Sequence, residues 1–472
     1  MDEYGVIDKL WGFCRILRDD GINYGDYIEQ LTYMLFLKIA EERGVEIPKG
    51  FDWQSLKKLS GTEIREHYQK VLNRLADEKG LLGNIFAGSL SRFREPVNLK
   101  RLITMIDEIQ WSETDVDIKA AAYEGLLRKY AEEQKGAGQY FTPREVIRSI
   151  IRCMKPDIRE KVDFTIHDPA CGTGGFLIGA YEWMLDQTNM GADLKRGDNE
   201  RLRRRTYSGQ EIVLETRRLA FMNLYLHEIE ADIEYGDSLA EGPHTGKRYD
   251  CVLTNPPFGR TGGGRVERSD FAVQTSNKQL NFVQHVMTIL KPGGRAAMVV
   301  PDNVLFESGA GQEIRKILLD DCNLHTILKL PVGTFTPYST GVKANVIFFT
   351  KGAPTKETWI YDLRTNVKKI TKSNPVSSTI FEEFEKCYGS NPNSEVNRSE
   401  VKRFKKFIRK EIDEQEFNLD ITWLRDESLE DSDDLPEPEE ILVEIETSLQ
   451  SAIDLVGELQ GLWNNSAKKE DS

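Results

Sequence analysis

The residues best suited to do chemistry are Asn255-Pro256-Pro257-Phe258. They follow Cys251-Val252-Leu253, an apolar run that reads as a buried strand bounded by turn-formers. Two prolines fix φ twice and remove two N–H donors, so the turn is stiff and its carbonyls stay free to accept. Open α/β sheets bind ligands at the carboxyl ends of their strands. An amide, free carbonyls and an aromatic ring at such an end suit a flat molecule bearing an amino group. A proline-terminated strand with Phe258 in the core fits the same four residues, so a second site is needed.

Phe164-Thr165-Ile166-His167 supplies it, reading as a strand that runs into Asp168-Pro169-Ala170-Cys171-Gly172-Thr173-Gly174-Gly175 and then an apolar helix through Ala180 and Met184. Strand, glycine-rich turn and helix together bring a backbone and a helix N-terminus against a ligand. The turn departs from the dinucleotide fingerprint, and Asp168 would repel a pyrophosphate. A carboxylate there suits a ligand with a cationic amino group. The next strand, about 205–209, leads to Gln210-Glu211, and an acidic residue at that junction is a usual partner for ribose hydroxyls. A third strand, about 232–235, ends in Gly236-Asp237-Ser238. With the strand before Asn255, four successive strands deliver polar or aromatic groups to one rim.

The elements that position these residues follow in order. Residues 1–135 read as all-helical, with helices near 2–18, 26–42, 62–79, 98–110 and 117–133, the last capped by Asp117. Packing or docking, without chemistry, is expected there. Gly136-Ala137-Gly138-Gln139-Tyr140-Phe141-Thr142-Pro143 then forms a ligand-facing loop, with Thr142 as N-cap of a helix carrying Val146, Ile147, Ile150 and Ile151. After Phe258, the Gly- and Arg-rich segment 259–269, with Arg260, Arg265 and Arg268, is expected to be a phosphate-contacting lid. A helix near 277–290 and strands near 295–300, 323–330 and 344–350 complete the pattern. Lys402–Lys410 is basic, and the acidic 426–440, with two prolines, reads as a linker. Ile441, Ile445, Leu449, Ala452, Val456, Leu459 and Trp463 then recur at steps of three or four, one apolar stripe on a helix.

At 472 residues the chain is long enough for two or three domains. Charged residues make up 30% and mean hydropathy is -0.48, as expected of a soluble protein. No signal peptide or membrane span is expected. Six scattered cysteines without a C-x-x-C pair fit reduced cytoplasmic thiols and no structural metal. The net charge of -14 is unusual for a protein that binds DNA alone, so nucleic-acid binding would need local basic loops or a partner.

These motifs resemble those of the S-adenosylmethionine-dependent DNA amino-methyltransferases, from Gly138 to about Thr350. In that family Phe141-Thr142-Pro143, the Asp168–Gly175 turn and Glu211 correspond to the cofactor site, to which we assign Gln139, Tyr140 and Asp237 as well. Asn255-Pro256-Pro257-Phe258 corresponds to the catalytic motif. With the helical N-terminal part and tail, the chain is more similar to the modification subunit of type I restriction-modification systems. The resemblance implies an α/β, Rossmann-like seven-stranded sheet with one antiparallel strand, in a catalytic domain over 136–425. It further implies a helical domain at 1–135 and a linker with a partner-docking helix at 426–472. Asn255 implies N6 of adenine in double-stranded DNA as acceptor. The implied partners are a specificity subunit, holding two copies of this chain, and a restriction subunit. A glutamine-N5 protein methyltransferase and a non-catalytic, cofactor-binding assembly subunit remain open at this level.

Overall fold

The computed structural model describes residues 3–22, 24–111, 120, 122–128, 141–259, 268–336, 342–371, 373–425, 442–443, 445–447 and 449–450. Asp117, Gln139, Tyr140, Arg260 and Arg265 lie outside them. The chain opens with six helices: α1 (Glu3–Asp19), α2 (Tyr24–Glu42), α3 (Trp53–Lys57), α4 (Gly61–Ala76), α5 (Leu81–Phe86) and α6 (Pro96–Asp107). Their apolar residues recur at helical spacing and are buried, as in Leu31, Met34, Leu35 and Ile39 of α2.

A sheet of nine strands follows, in the order β3-β2-β1-β4-β5-β7-β6-β8-β9. Its strands are β1 (Ile166–Asp168), β2 (Tyr207–Glu211), β3 (Asp232–Tyr235), β4 (Tyr249–Thr254), β5 (Leu290–Pro301), β6 (Cys322–Lys329), β7 (Ala344–Lys351), β8 (Glu357–Asp362) and β9 (Phe404–Ile408). β1 to β5 are mutually parallel, and β7 runs antiparallel between β5 and β6. The sheet therefore exceeds the expected seven strands, and β9 is a second antiparallel strand, paired with β8. The basic stretch Lys402–Lys410 forms this strand for most of its length. Lys405 and Lys406 lie side by side on this edge strand, where lysine blunts edge-to-edge pairing.

Both faces of the sheet are covered. Cys251 and Leu253 of β4 join the apolar cluster that also holds the N-terminal helices, whereas Val252 joins the cluster on the opposite face. Cys251 is core, as its place in an apolar strand implied. α7 (Arg144–Met154) precedes β1, and between the strands run α8 (Gly175–Asp186), α9 (Arg196–Arg204), α10 (Leu214–Leu226) and α11 (Lys278–Ile289). α7 and α8 approach closely because Gly179 has no side chain. A Cβ there would lie 2.6 Å from Ile151 Cδ1 and 2.9 Å from Ile147 Cγ2. Among the described residues no helix is long and apolar enough to cross a membrane.

The N-terminal helices are anchored on α10. Arg218, only 1% exposed, pairs with Glu29 of α2, donates to the Ala87 carbonyl at 2.5 Å and lies over the Tyr33 ring. Arg217 reaches Asn84 of the α5 helix at 3.0 Å, and Arg43 donates to the Tyr225 carbonyl at 3.1 Å. Truncating one member of a buried ion pair typically costs about 3–5 kcal/mol, because the other charge is left buried. Arg218→Ala should therefore lower unfolding free energy by about that amount, measured as a reduced urea midpoint.

Candidate functional site

β1 sits between β2 and β4, so the chain leaves it in opposite directions on its two sides. That switch point is where an open α/β sheet forms its ligand crevice. Asp168 ends β1 and Asn255 follows β4 directly, which brings both motifs to adjacent strand ends.

Asp168 is 1% exposed. Its Oδ1 accepts from Thr254 Oγ1 at 2.7 Å and from the Ala170 N–H at 3.0 Å. The carboxyl thus ties β1 to β4 and shapes the glycine turn, and it does not lie open at the rim. Burial pushes its pKa up to about 7, with the Glu211 charge adding to the rise against the two hydrogen bonds. Pro169 is drawn in by Ser238, whose hydroxyl donates to its carbonyl at 2.5 Å. Gly172 and Gly174 have φ of 54° and 85°, the left-handed region that a side chain disfavours. Gly175 begins α8, so the turn ends on a helix N-terminus of twelve residues. Thr173 is held from behind, its carbonyl accepting from Asn223 Nδ2 of α10 at 3.0 Å.

Glu211 ends β2, and burial raises its pKa. Its two oxygens accept from the Gly172 N–H at 3.0 Å and the Val213 N–H at 2.8 Å, which fixes the turn from the β2 side. Ile212 and Tyr235, at 56% and 61% exposed, present apolar surface at the ends of β2 and β3. Asp237 is exposed, and its Oδ1 accepts from the Leu239 N–H at 2.9 Å.

On the β4 side, Asn255 Nδ2 donates to Thr142 Oγ1 at 2.9 Å. Its Oδ1 is buried and has no hydrogen-bond partner among the described residues. Thr142 is therefore not the N-cap expected of it. Pro143 takes that position, and no side-chain bond caps α7. Phe141 and Thr142 are half-buried on the approach to α7. Phe258 is also half-buried, edge-on to Phe335 with ring centroids 6.5 Å apart.

Arg268 corrects the reading of segment 259–269. It is 1% exposed, paired with Asp270 at 2.6 Å, donates to the Ser238 carbonyl at 2.7 Å and lies 4.3 Å over Phe271. A guanidinium so fully engaged holds the base of the segment and is closed to a phosphate. Thr254 and Asn223 are positioning residues that sequence reasoning missed, and Ser238, read at the rim, instead holds the Pro169 carbonyl. Thr254 was signalled by its place just before Asn255, and Asn223 by being a polar residue inside an apolar helix.

Comparison with known proteins places the chain among relatives. A family profile described as N-6 DNA methylase matches residues 114–432, and one described as HsdM N-terminal domain matches 7–106. The chain is 40% identical to the type I restriction enzyme StySPI methylase subunit of Salmonella potsdam, over 98% of this chain and 95% of that one. It is 39% identical to the EcoKI methylase subunit of Escherichia coli K12, over 96% and 94%. The crystal structure of the EcoKI M protein superposes with a TM-score of 0.58 at 35% identity, over 95% and 94% of the two chains. A chain from work on assembly and conformational transition of a type I R-M system gives 0.76 at 29% identity, over 98% of both.

The buried Asp168 carboxyl makes a prediction. With its folded pKa raised from 3.8 to about 7, its contribution to stability is fullest below pH 3.8 and is lost as pH rises through about 7. Asp168→Asn retains an acceptor for Thr254 but cannot ionise. Its Tm should gain on that of the wild type steadily between pH 5 and 8, read by calorimetry across that range.

Proposed function

The chain belongs to the N-6 DNA methylase family, and from that premise we propose that it is the modification subunit of a type I restriction-modification system. It transfers a methyl group from S-adenosylmethionine to N6 of adenine in DNA. The observation that supports the site assignment best is the Oδ1 of Asn255 just after β4, buried and without a partner among the described residues. A buried acceptor without a donor is costly, and an incoming amine would relieve it.

The cofactor fits the crevice at the switch point. Asp168, Pro169, Ala170, Gly172, Thr173, Gly174 and Gly175 bring backbone to it, and a Cβ built on Gly172 meets nothing within 4 Å. Glu211 retains acceptor capacity for ribose hydroxyls. Phe141, Asp237, Ile212 and Tyr235 complete the surround, and we assign Gln139 and Tyr140, which lie outside the described residues, to the same site. When bound, the cofactor supplies an electrophilic methyl on a sulfonium.

The remaining chemistry belongs to this chain. The adenine N6 lone pair is delocalised into its ring and is a poor nucleophile. Asn255 Oδ1 and the Pro256 carbonyl accept the two N6 hydrogens, which favours a tetrahedral nitrogen with its lone pair available. Pro257 stiffens the turn that holds these acceptors. Phe258 stacks on the flipped base, which offsets roughly 1–3 kcal/mol of the cost of taking it from the duplex. Alignment and exclusion of water supply much of the acceleration. An intact set of acceptors and a nearly full-length match to methylase subunits favour this reading over the glutamine-directed and non-catalytic alternatives.

We further read 1–135 as the helical unit, 136–425 as the catalytic unit, and 426–472 as a linker and docking helix, in a cytoplasmic protein. With a net charge of -14, the chain needs a partner to hold DNA and read its sequence. A specificity subunit carrying two copies of this chain meets that need, and a restriction subunit completes the complex. Ile445 and Leu449 of the apolar stripe are helical and exposed at 48% and 58%. Ile441, Ala452, Val456, Leu459 and Trp463 lie outside the described residues.

Asn255→Ala should reduce transfer of tritiated methyl to DNA by at least about a hundredfold with cofactor affinity nearly intact. Phe258→Tyr should remain active, and Phe258→Ala should lose most activity. Wild-type turnover in Asn255→Ala would overturn the assignment. Deleting 436–472 should leave cofactor binding unchanged but abolish co-purification with the specificity subunit and sequence-specific methylation. Specific methylation by the truncated protein alone would refute the docking role.

A further inference from the structure

An asparagine amide has two ends of nearly equal size and opposite hydrogen-bonding character. Shape alone cannot decide which of them faces a substrate. An exocyclic amine presents N–H groups, so it can be received only by the oxygen end. If the amide turned over, two sets of donors would meet and the substrate hydrogen bond would be lost.

The surroundings of Asn255 are matched to this requirement. Its Nδ2 donates to Thr142 Oγ1 at 2.9 Å across 113 residues of sequence, while its Oδ1 has no partner among the described residues. The Thr142 hydroxyl is available because α7 starts at Pro143 without a side-chain cap. A hydroxyl can serve either end of an amide. Here it accepts from the donor end, which leaves the oxygen as the end without a partner among the described residues. Proline on the C-terminal side of Asn255 limits the backbone freedom that could otherwise re-aim the amide.

We propose that Thr142 is a positioning residue for methyl transfer, holding the Asn255 amide with its oxygen toward the substrate amine. This rests on the assignment of Asn255 as the amine acceptor, and it moves Thr142 from the cofactor to the catalytic asparagine. The loop ahead of α7 then serves both substrates, since Phe141 borders the cofactor and its neighbour orients the amide.

The test uses the full chain co-expressed with its specificity subunit, with tritiated S-adenosylmethionine and chromosomal DNA from an unmodified host. Thr142→Val removes the hydroxyl at nearly constant shape, and Thr142→Ser keeps it. Thr142→Val should lower kcat about ten- to a hundredfold, the effect of one lost buried hydrogen bond, with KM and Kd for the cofactor within about twofold of wild type. Thr142→Ser should recover kcat to within about threefold. Unfolding midpoints of both variants establish that they are folded. Wild-type kcat in Thr142→Val overturns the proposal. So does a loss that Thr142→Ser fails to rescue, or one matched by an equal loss of cofactor affinity. Asn255→Ala run in parallel separates the two assignments: if it is fully active, the acceptor role itself fails. If it is inactive while Thr142→Val is fully active, only the role of Thr142 fails.

Discussion

The hydrogen bond from Thr254 to Asp168 holds together what the site needs together. The two residues lie 86 positions apart in sequence, yet their strands are neighbours in the sheet, and the bond spans the ends from which both motifs depart. Asp168 also receives the Ala170 N–H, so the same carboxyl sets the path of the glycine turn. Glu211 grips that turn from β2 through Gly172, and Asn223 grips it from α10 through Thr173. The distance from the glycine turn to Asn255, the proposed amine acceptor, is thus set by strand pairing and a short chain of hydrogen bonds. Flexible loops do not set it. Since transfer between two bound substrates depends on their alignment, rigidity at this junction bears directly on rate.

The chemistry proposed for this site asks for acceptors rather than a base, and the histidines packed into the sheet agree with that. His167 stacks on Tyr249 with centroids 3.9 Å apart and touches Ser208. Burial depresses its pKa to about 3, and that of His325 likewise, so both are neutral structural groups. His285 is also depressed by burial, with the adjoining Arg268 adding to the effect.

What could be read from the sequence was local in origin. The apolar strand into Asn255, the glycine turn after Asp168 and the acidic end of β2 each announce themselves within ten residues, and the structure brings them to one crevice. The misreadings came from partners distant in the chain. Thr142 has the local preference of an N-cap, but a bond to Asn255 takes its hydroxyl. Arg268 sits in a run of glycines and arginines that looks solvated, and its burial depends on the Ser238 carbonyl and His285. The strand Phe404–Ile408 has no alternating pattern of its own and is decided by its pairing with β8. None of these outcomes follows from a window of sequence, since each is decided by what the sheet places opposite.

Helix α10 has a consequence for how the molecule opens. One of its turns holds Arg218, locked against α2 and the end of α5, and the next holds Asn223 and Leu224, which back the glycine turn. Undocking the N-terminal helices would break the Arg218 contacts with Glu29 and the Ala87 carbonyl, and would loosen the support of Thr173 at the same time. The amide protons of the turn, including that of Gly174, which donates to the Cys171 carbonyl at 2.8 Å, are therefore guarded by helices more than sixty residues upstream. Their exchange with solvent deuterium belongs to the same cooperative opening as that of α2, rather than to a local fluctuation of a surface loop.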